Sequence, residues 1–287
     1  MKEFVANWIK EQLLELDSGL SGLVDIINPP NFWSISSSEY FLYAKGYQTP
    51  AGLVVYEGMA TIVQPIATYI LTLCWLISFI KICINMDILK TKFMFKIMTL
   101  GILARFAADN AYVFLGTIYA TGASWASKLV ASETFTIGTA ASTKIGNMIK
   151  DYSMFESLGL MISSLVFIIG LNGVMIFIRV KAYARLFELT MIIGVAPLPF
   201  AFLPLEGGGA NITKKYIFNF ASICIEGFFM VASIGLFQNI VVNILTTEMD
   251  GAVSALGVLG KVFTYTVILL LAITSSSKWS KQIFEGA

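Results

Sequence analysis

The chain has 287 residues, 57% of them hydrophobic and only 13% charged, with a formal net charge of +1. Soluble domains carry about 25% charged residues, so this composition excludes an ordinary water-soluble globule, and total charge selects no particular partner. Histidine is absent, which removes the commonest general base, the usual proton relay and most transition-metal sites.

Residues 2–27 read as an amphipathic helix. Phe4, Val5, Trp8, Ile9, Leu13, Leu16, Leu20, Leu23, Val24 and Ile27 recur at three- and four-residue steps. Lys2, Asn7, Lys10, Glu11, Ser18 and Asp25 take the other side, and Pro29 and Pro30 end the run. Residues 1–30 are therefore expected to form an interfacial helix lying flat on the membrane; the alternative is a helix packed on a partner subunit. Glu3, Glu11, Glu15 and Asp17 interrupt any signal-peptide core, so none is expected.

Residues 31–50 form an external loop in this reading, and residues 51–130 hold two long transmembrane helices. Gly58–Ile80 contains no Asp, Glu, Lys or Arg, and a helix of about 20 apolar residues crosses a bilayer core of about 30 Å. Pro65 is expected to bend this first helix. After a polar turn at Met86–Lys92, the second runs from Phe93 to Val130. Its Ala107, Ala111, Gly116, Ala120, Gly122 and Ala126 suit close helix contact in lipid.

Residues 131–156 read as an external polar loop, and 157–287 as a C-terminal group of membrane helices. Ser157–Ile178 is again free of charge, within a helix expected over 157–182. Leu189–Leu205 is short and holds Pro197, Pro199 and Pro204. It reads as a re-entrant or broken helix, because irregular backbone at membrane depth must be buried in protein or line a wet cavity. Helices at 214–246 and 253–277 complete the set. The fold class is thus all-α: a polytopic membrane protein with about five transmembrane helices, one re-entrant or broken helix and the amphipathic N-terminal helix.

Basic residues orient it. With Arg105 and Lys261 set aside as intramembrane, five spans with the N-terminus outside put eleven Lys and Arg inside and six outside. That is the expected bias; six spans with the N-terminus inside give ten against seven.

Four residues stand out as intramembrane polar or assembly groups. Arg105 and Asp109 are four apart, so they share a helical face and can pair. Glu226 is the costliest lone charge at bilayer depth, with Lys261 on the next helix as a candidate partner. Arg179, Lys181, Arg185 and Glu188 form a basic turn expected on the cytoplasmic side, just before the segment of Pro197 and Pro199, with Arg185 and Glu188 spaced to pair. The sequence holds no G-x-x-x-x-G-K-[ST], G-x-S-x-G or H-E-x-x-H, so nothing points to an enzyme, a cofactor or a bound metal. Cys74, Cys83 and Cys224 have no metal-ligand spacing and read as small apolar residues.

The stretch RVKAYARLFELTMIIGVAPLPFAF, residues 179–202, resembles the core of the TrbL-like polytopic membrane subunits of type IV secretion and conjugation systems. Arg179, Arg185, Glu188, Ala196 and Pro197 carry the likeness, and the general layout is similar over roughly residues 50–277. The resemblance implies a non-enzymatic scaffold and channel subunit of the bacterial cytoplasmic membrane, contributing to the path for DNA–protein transfer. It implies homo-oligomers, with other secretion-system membrane subunits and ATPases as partners. A secondary transporter for a small solute and a holin-like pore are the alternative readings.

Overall fold

The computed structural model describes residues 2–27, 56–84, 91–130, 153–205, 208–247 and 255–285, with 137, 139–140 and 142–143. Regular structure among them is helical throughout. In chain order the helices are α1 (Lys2–Ile27), α2 (Tyr56–Ile84), α3 (Thr91–Asp109), α4 (Ala111–Val130), α5 (Met154–Gly194), α6 (Pro197–Ala201), α7 (Gly209–Thr247) and α8 (Ala255–Glu285). The loop expected at 31–50 and most of that at 131–156 lie outside the described residues.

Four helices are long and apolar enough to cross a membrane, over Ile62–Lys81, Leu158–Ala201, Gly209–Asn243 and Gly257–Phe284. A fifth span arises if Ile97–Asp109 and Ala111–Leu129, bent by 61°, are taken as one. The outer faces agree with lipid contact: Ile62, Tyr69, Ile102, Ile162, Val166, Phe177 and Leu271 are all more than half exposed, a display that would be costly in water. The chain is a multi-pass membrane protein.

Three boundaries differ from the sequence reading. Helix two is two helices: Asn110 donates its side-chain amide to the Phe106 carbonyl, 2.8 Å away, and the chain turns there because an Asn side chain competes with the helical ladder. The basic turn at 179–188 is no turn. α5 runs through it to Gly194, since nothing from Val174 to Ile193 is a Gly or Pro that would interrupt helical bonding. The break then comes at Val195–Ala196, directly before Pro197, where a helix must yield. Pro65 sits inside α2 without ending it.

The chain divides into two compact units. The first comprises residues 1–29, 123–185 and 225–280. Its core joins Ile9, Leu13, Leu20 and Leu23 of α1 to Leu171, Met175 and Ile178 of α5, Met230 and Ile234 of α7, and Val262 and Ile273 of α8. α5 begins with a reciprocal capping box: the Ser153 N–H donates to Glu156 Oε2 at 2.6 Å and the Glu156 N–H to Ser153 Oγ at 3.3 Å. Ile137 is fully buried here. The Thr139 N–H and hydroxyl donate to Asp17 Oδ2 at 3.2 and 3.3 Å, so part of the expected external loop is tied to α1.

The second unit comprises residues 30–122, 186–224 and 281–287. In it α2, α3 and the short α6 pack against one another. Small residues make this possible. Ala104 and Ala108 of α3 are buried, and a side chain at Gly101 would come within 2.7 Å of the Trp75 ring. Of the small residues singled out from the sequence, Ala111, Gly116, Gly122 and Ala126 are buried, whereas Ala107 and Ala120 are half-buried.

Candidate functional site

Two polar constructions, one at a helix interruption and one inside the bundle, hold half of the predicted residues. The first, in the second unit, is the broken segment 195–205. Pro197, Pro199 and Pro204 each lack an N–H, and the carbonyls of Ile193, Val195 and Phe200 that they would have served accept tighter bonds from the N–H groups of Ala196, Leu198 and Leu203 instead. Three hydroxyls bond further carbonyls of the same stretch, where water is scarce. Tyr216 donates to the Ile192 carbonyl, Thr213 to that of Pro199 and Ser78 to that of Pro204, each at 2.7 Å. Tyr216 and Thr213 lie on α7 and Ser78 on α2, so the segment is fastened from two helices. Phe200 lies between Phe114 and Tyr216, tilted against the first and edge-on to the second, with ring centroids 6.5 and 6.4 Å away. Where α7 begins, a Cβ on Gly209 would fall 1.7 Å from the Phe202 carbonyl oxygen, so only glycine fits. The segment is built as a fixed element, with its irregular backbone internally bonded.

The second construction, in the first unit, is a buried charge cluster. Glu226 is 3% exposed, and its Oε1 lies 3.2 Å from Lys181 Nζ, so its partner is Lys181 on α5 rather than Lys261. One turn on, Arg185 is also 3% exposed and its Nη1 donates to the Ile27 carbonyl at the C-terminus of α1. A cation there meets the negative end of the helix dipole. The guanidinium lies flat over Gly227, where a Cβ would come within 2.2 Å of Nη2. Lys181 and Arg185 thus use one face of α5 to bind α7 and α1, whereas Glu188, expected to pair with Arg185, is exposed in the second unit. Lys261 is half-buried on α8.

Arg105 and Asp109 pair on α3 at 2.8 Å, and Arg105 Nη1 donates to the Thr68 hydroxyl of α2 at 2.9 Å. Both remain over a third exposed. Sequence reasoning missed Ser78, Thr213, Tyr216, Gly209 and Gly227. The three prolines were the available signal that donors would be required, but only the packing shows which hydroxyls serve.

Residues 53–197 match the family model of the TrbL/VirB6 plasmid conjugal transfer like proteins. The chain belongs to this TrbL/VirB6 family. The matched region covers α2 and ends at Pro197, the first proline of the break; it contains Arg105, Asp109, Lys181 and Arg185, while Glu226, Gly227 and the hydroxyls of α7 lie beyond it. No curated protein and no solved structure matches the chain. Membership places this TrbL/VirB6 protein among the membrane components of conjugal transfer systems.

Proposed function

We propose that the chain is a non-enzymatic scaffold and channel subunit of a conjugative type IV secretion system. In this reading it sits in the bacterial cytoplasmic membrane, N-terminus outside, as a homo-oligomer beside other membrane subunits and the system's ATPases. It contributes to the path for DNA–protein transfer. The observation that carries the reading is the family match across residues 53–197, joined to apolar spans linked by buried polar contacts. The basic stretch Arg179–Arg185 has one exposed member, Arg179, and one half-exposed, Lys181, and serves here in assembly.

An in-frame deletion in a donor carrying the conjugative element tests it. Transfer frequency is expected to fall by orders of magnitude and return with the intact gene in trans. Cross-linking before detergent extraction is expected to recover homo-oligomers with other transfer proteins. Undiminished transfer by the deletion strain overturns the assignment. The secondary-transporter reading gains one specific observation, the second helix interruption at Asn110 close to the Arg105–Asp109 pair, because discontinuous helices carry many transport sites. Solute uptake by proteoliposomes holding the purified chain alone would favour it.

A further inference from the structure

The ends of three helices meet in the second unit. Ser78, three residues before Lys81 on α2, donates to the Pro204 carbonyl. Gly209, the first residue of α7, packs on the Phe202 carbonyl, so α2 ends beside the entrance to α7. The Phe218 ring of α7 lies against that of Phe284 in the last turn of α8, with centroids 5.8 Å apart. These contacts gather Lys81, Lys214, Lys215 and Lys281 at one end of the unit, and all four are exposed. Each of them falls inside in the five-span reading. Lys90, Lys92 and Lys96 add to them on the same side, against Asp87, Glu188, Glu206 and Glu285. Seven lysines face four carboxylates, so the balance is basic.

The apolar company of these lysines separates this end from a plain basic surface. Ile84, Ile212 and Ile283 are 72, 44 and 52% exposed on the same terminal turns, a display that is costly in water. The Lys214 ammonium lies 5.0 Å from the centroid of the Phe218 ring, held to its face. Phe218 and Phe284 are themselves half-buried. An apolar body with a cationic tip is the form side chains take where hydrocarbon gives way to headgroups. The start of α7 is not the attraction: the N–H groups of Gly209, Asn211 and Ile212 are already bonded to the Leu205 and Gly208 carbonyls. Anion recognition falls to the ammonium groups, which meet phosphate as compact point charges.

We propose that this end of the second unit binds the phosphodiester headgroup of anionic phospholipids in the cytoplasmic leaflet. Lys214, Lys215 and Lys281 meet the phosphate, and the Phe218–Phe284 pair with Ile212 and Ile283 rests on the first acyl carbons. A nucleic acid or an acidic protein docked here instead would leave the isoleucines in water. The site depends on the chain's spanning the membrane and not on its role in conjugation.

Titration of the detergent-purified full chain with phospholipid, read by native mass spectrometry, tests it. Phosphatidylglycerol is expected to bind about tenfold more tightly than phosphatidylcholine. The triple variant Lys214→Gln, Lys215→Gln, Lys281→Gln is expected to lose that preference, and the same three changed to arginine to keep it. Lys10→Gln with Lys128→Gln, exposed lysines of the first unit, should leave it unchanged. Equal affinity of the wild-type chain for the two lipids overturns the proposal, and that comparison needs no variant to fold. So does a preference that survives the glutamine changes, that disappears with the arginine changes, or that falls as far in the Lys10 and Lys128 control. Excess inorganic phosphate is expected to leave the lipid bound; its displacement would make this a site for free phosphate. A single-stranded oligonucleotide that displaces the lipid at equal phosphate concentration would assign the surface to nucleic acid instead.

Discussion

Among the described acidic and basic side chains, Glu226 and Arg185 are the most completely enclosed, and each is held by a different device. Removing one partner of a buried pair costs about 3–5 kcal/mol, but Lys181 is a third exposed, and solvent screening reduces that figure. Lys181→Met is therefore expected to destabilise by about 1–3 kcal/mol, read as a lower unfolding temperature in detergent. Glu226→Gln added to Lys181→Met should recover most of the loss, since no stranded charge remains. Equal damage from the single and double variants would show that packing, not charge, dominates. Arg185 depends instead on an absence. Gly227→Ala places a methyl where the guanidinium lies and should break its bond to the Ile27 carbonyl, at about 1–3 kcal/mol. In an Arg185→Met background the same alanine should cost clearly less, a coupling that a double-mutant cycle measures.

At the scale of elements, the proline break is where sequence and packing divide the information between them. Three prolines within eight residues announce an interruption, and the break indeed falls just before Pro197. They do not reveal their donors, because Ser78 comes from a helix more than a hundred residues earlier. Tyr216→Phe leaves shape intact and removes one donor, so it is expected to cost about 1 kcal/mol. Gly209→Ala should cost considerably more, because the added atom meets backbone rather than a movable side chain. If Tyr216→Phe proves as harmful as Gly209→Ala, the hydroxyl does more than satisfy one carbonyl. The amphipathic stripe of α1 was legible residue by residue from its period, yet a period says nothing about what covers either face. The Arg105–Asp109 pair was legible for a similar reason, being local. The run 179–188 was misread because a cluster of charges after an apolar stretch resembles a loop, although Lys181 and Arg185 have helical spacing and spend their charge inside the bundle. Asn110 carried too weak a signal, since one Asn in a helix usually faces outward without consequence.

For the whole molecule, the bent pair α3–α4 decides the map. If it crosses, five spans leave eleven basic residues inside and six outside; if it does not, four spans with the N-terminus inside leave ten against seven. The larger asymmetry favours crossing. So does chemistry: Ile102, Leu103 and Phe106 are more than half exposed and need a lipid neighbour, while Arg105 is held by Asp109 and Thr68, as a membrane-embedded cation requires. α5 settles how the chain continues. At 1.5 Å per residue its length is about 60 Å, twice the hydrocarbon core, so its charge-free first half can cross while its basic stretch emerges. Cysteines at Lys81 and Thr143, on the two sides of the bent pair, separate the maps. An impermeant maleimide is expected to reach Thr143→Cys in intact cells and Lys81→Cys only after permeabilisation. Equal labelling of both from outside would mean that α3 and α4 dip in and return, and the Asn110 bend would then be the tip of a re-entrant hairpin instead of a kink within a span.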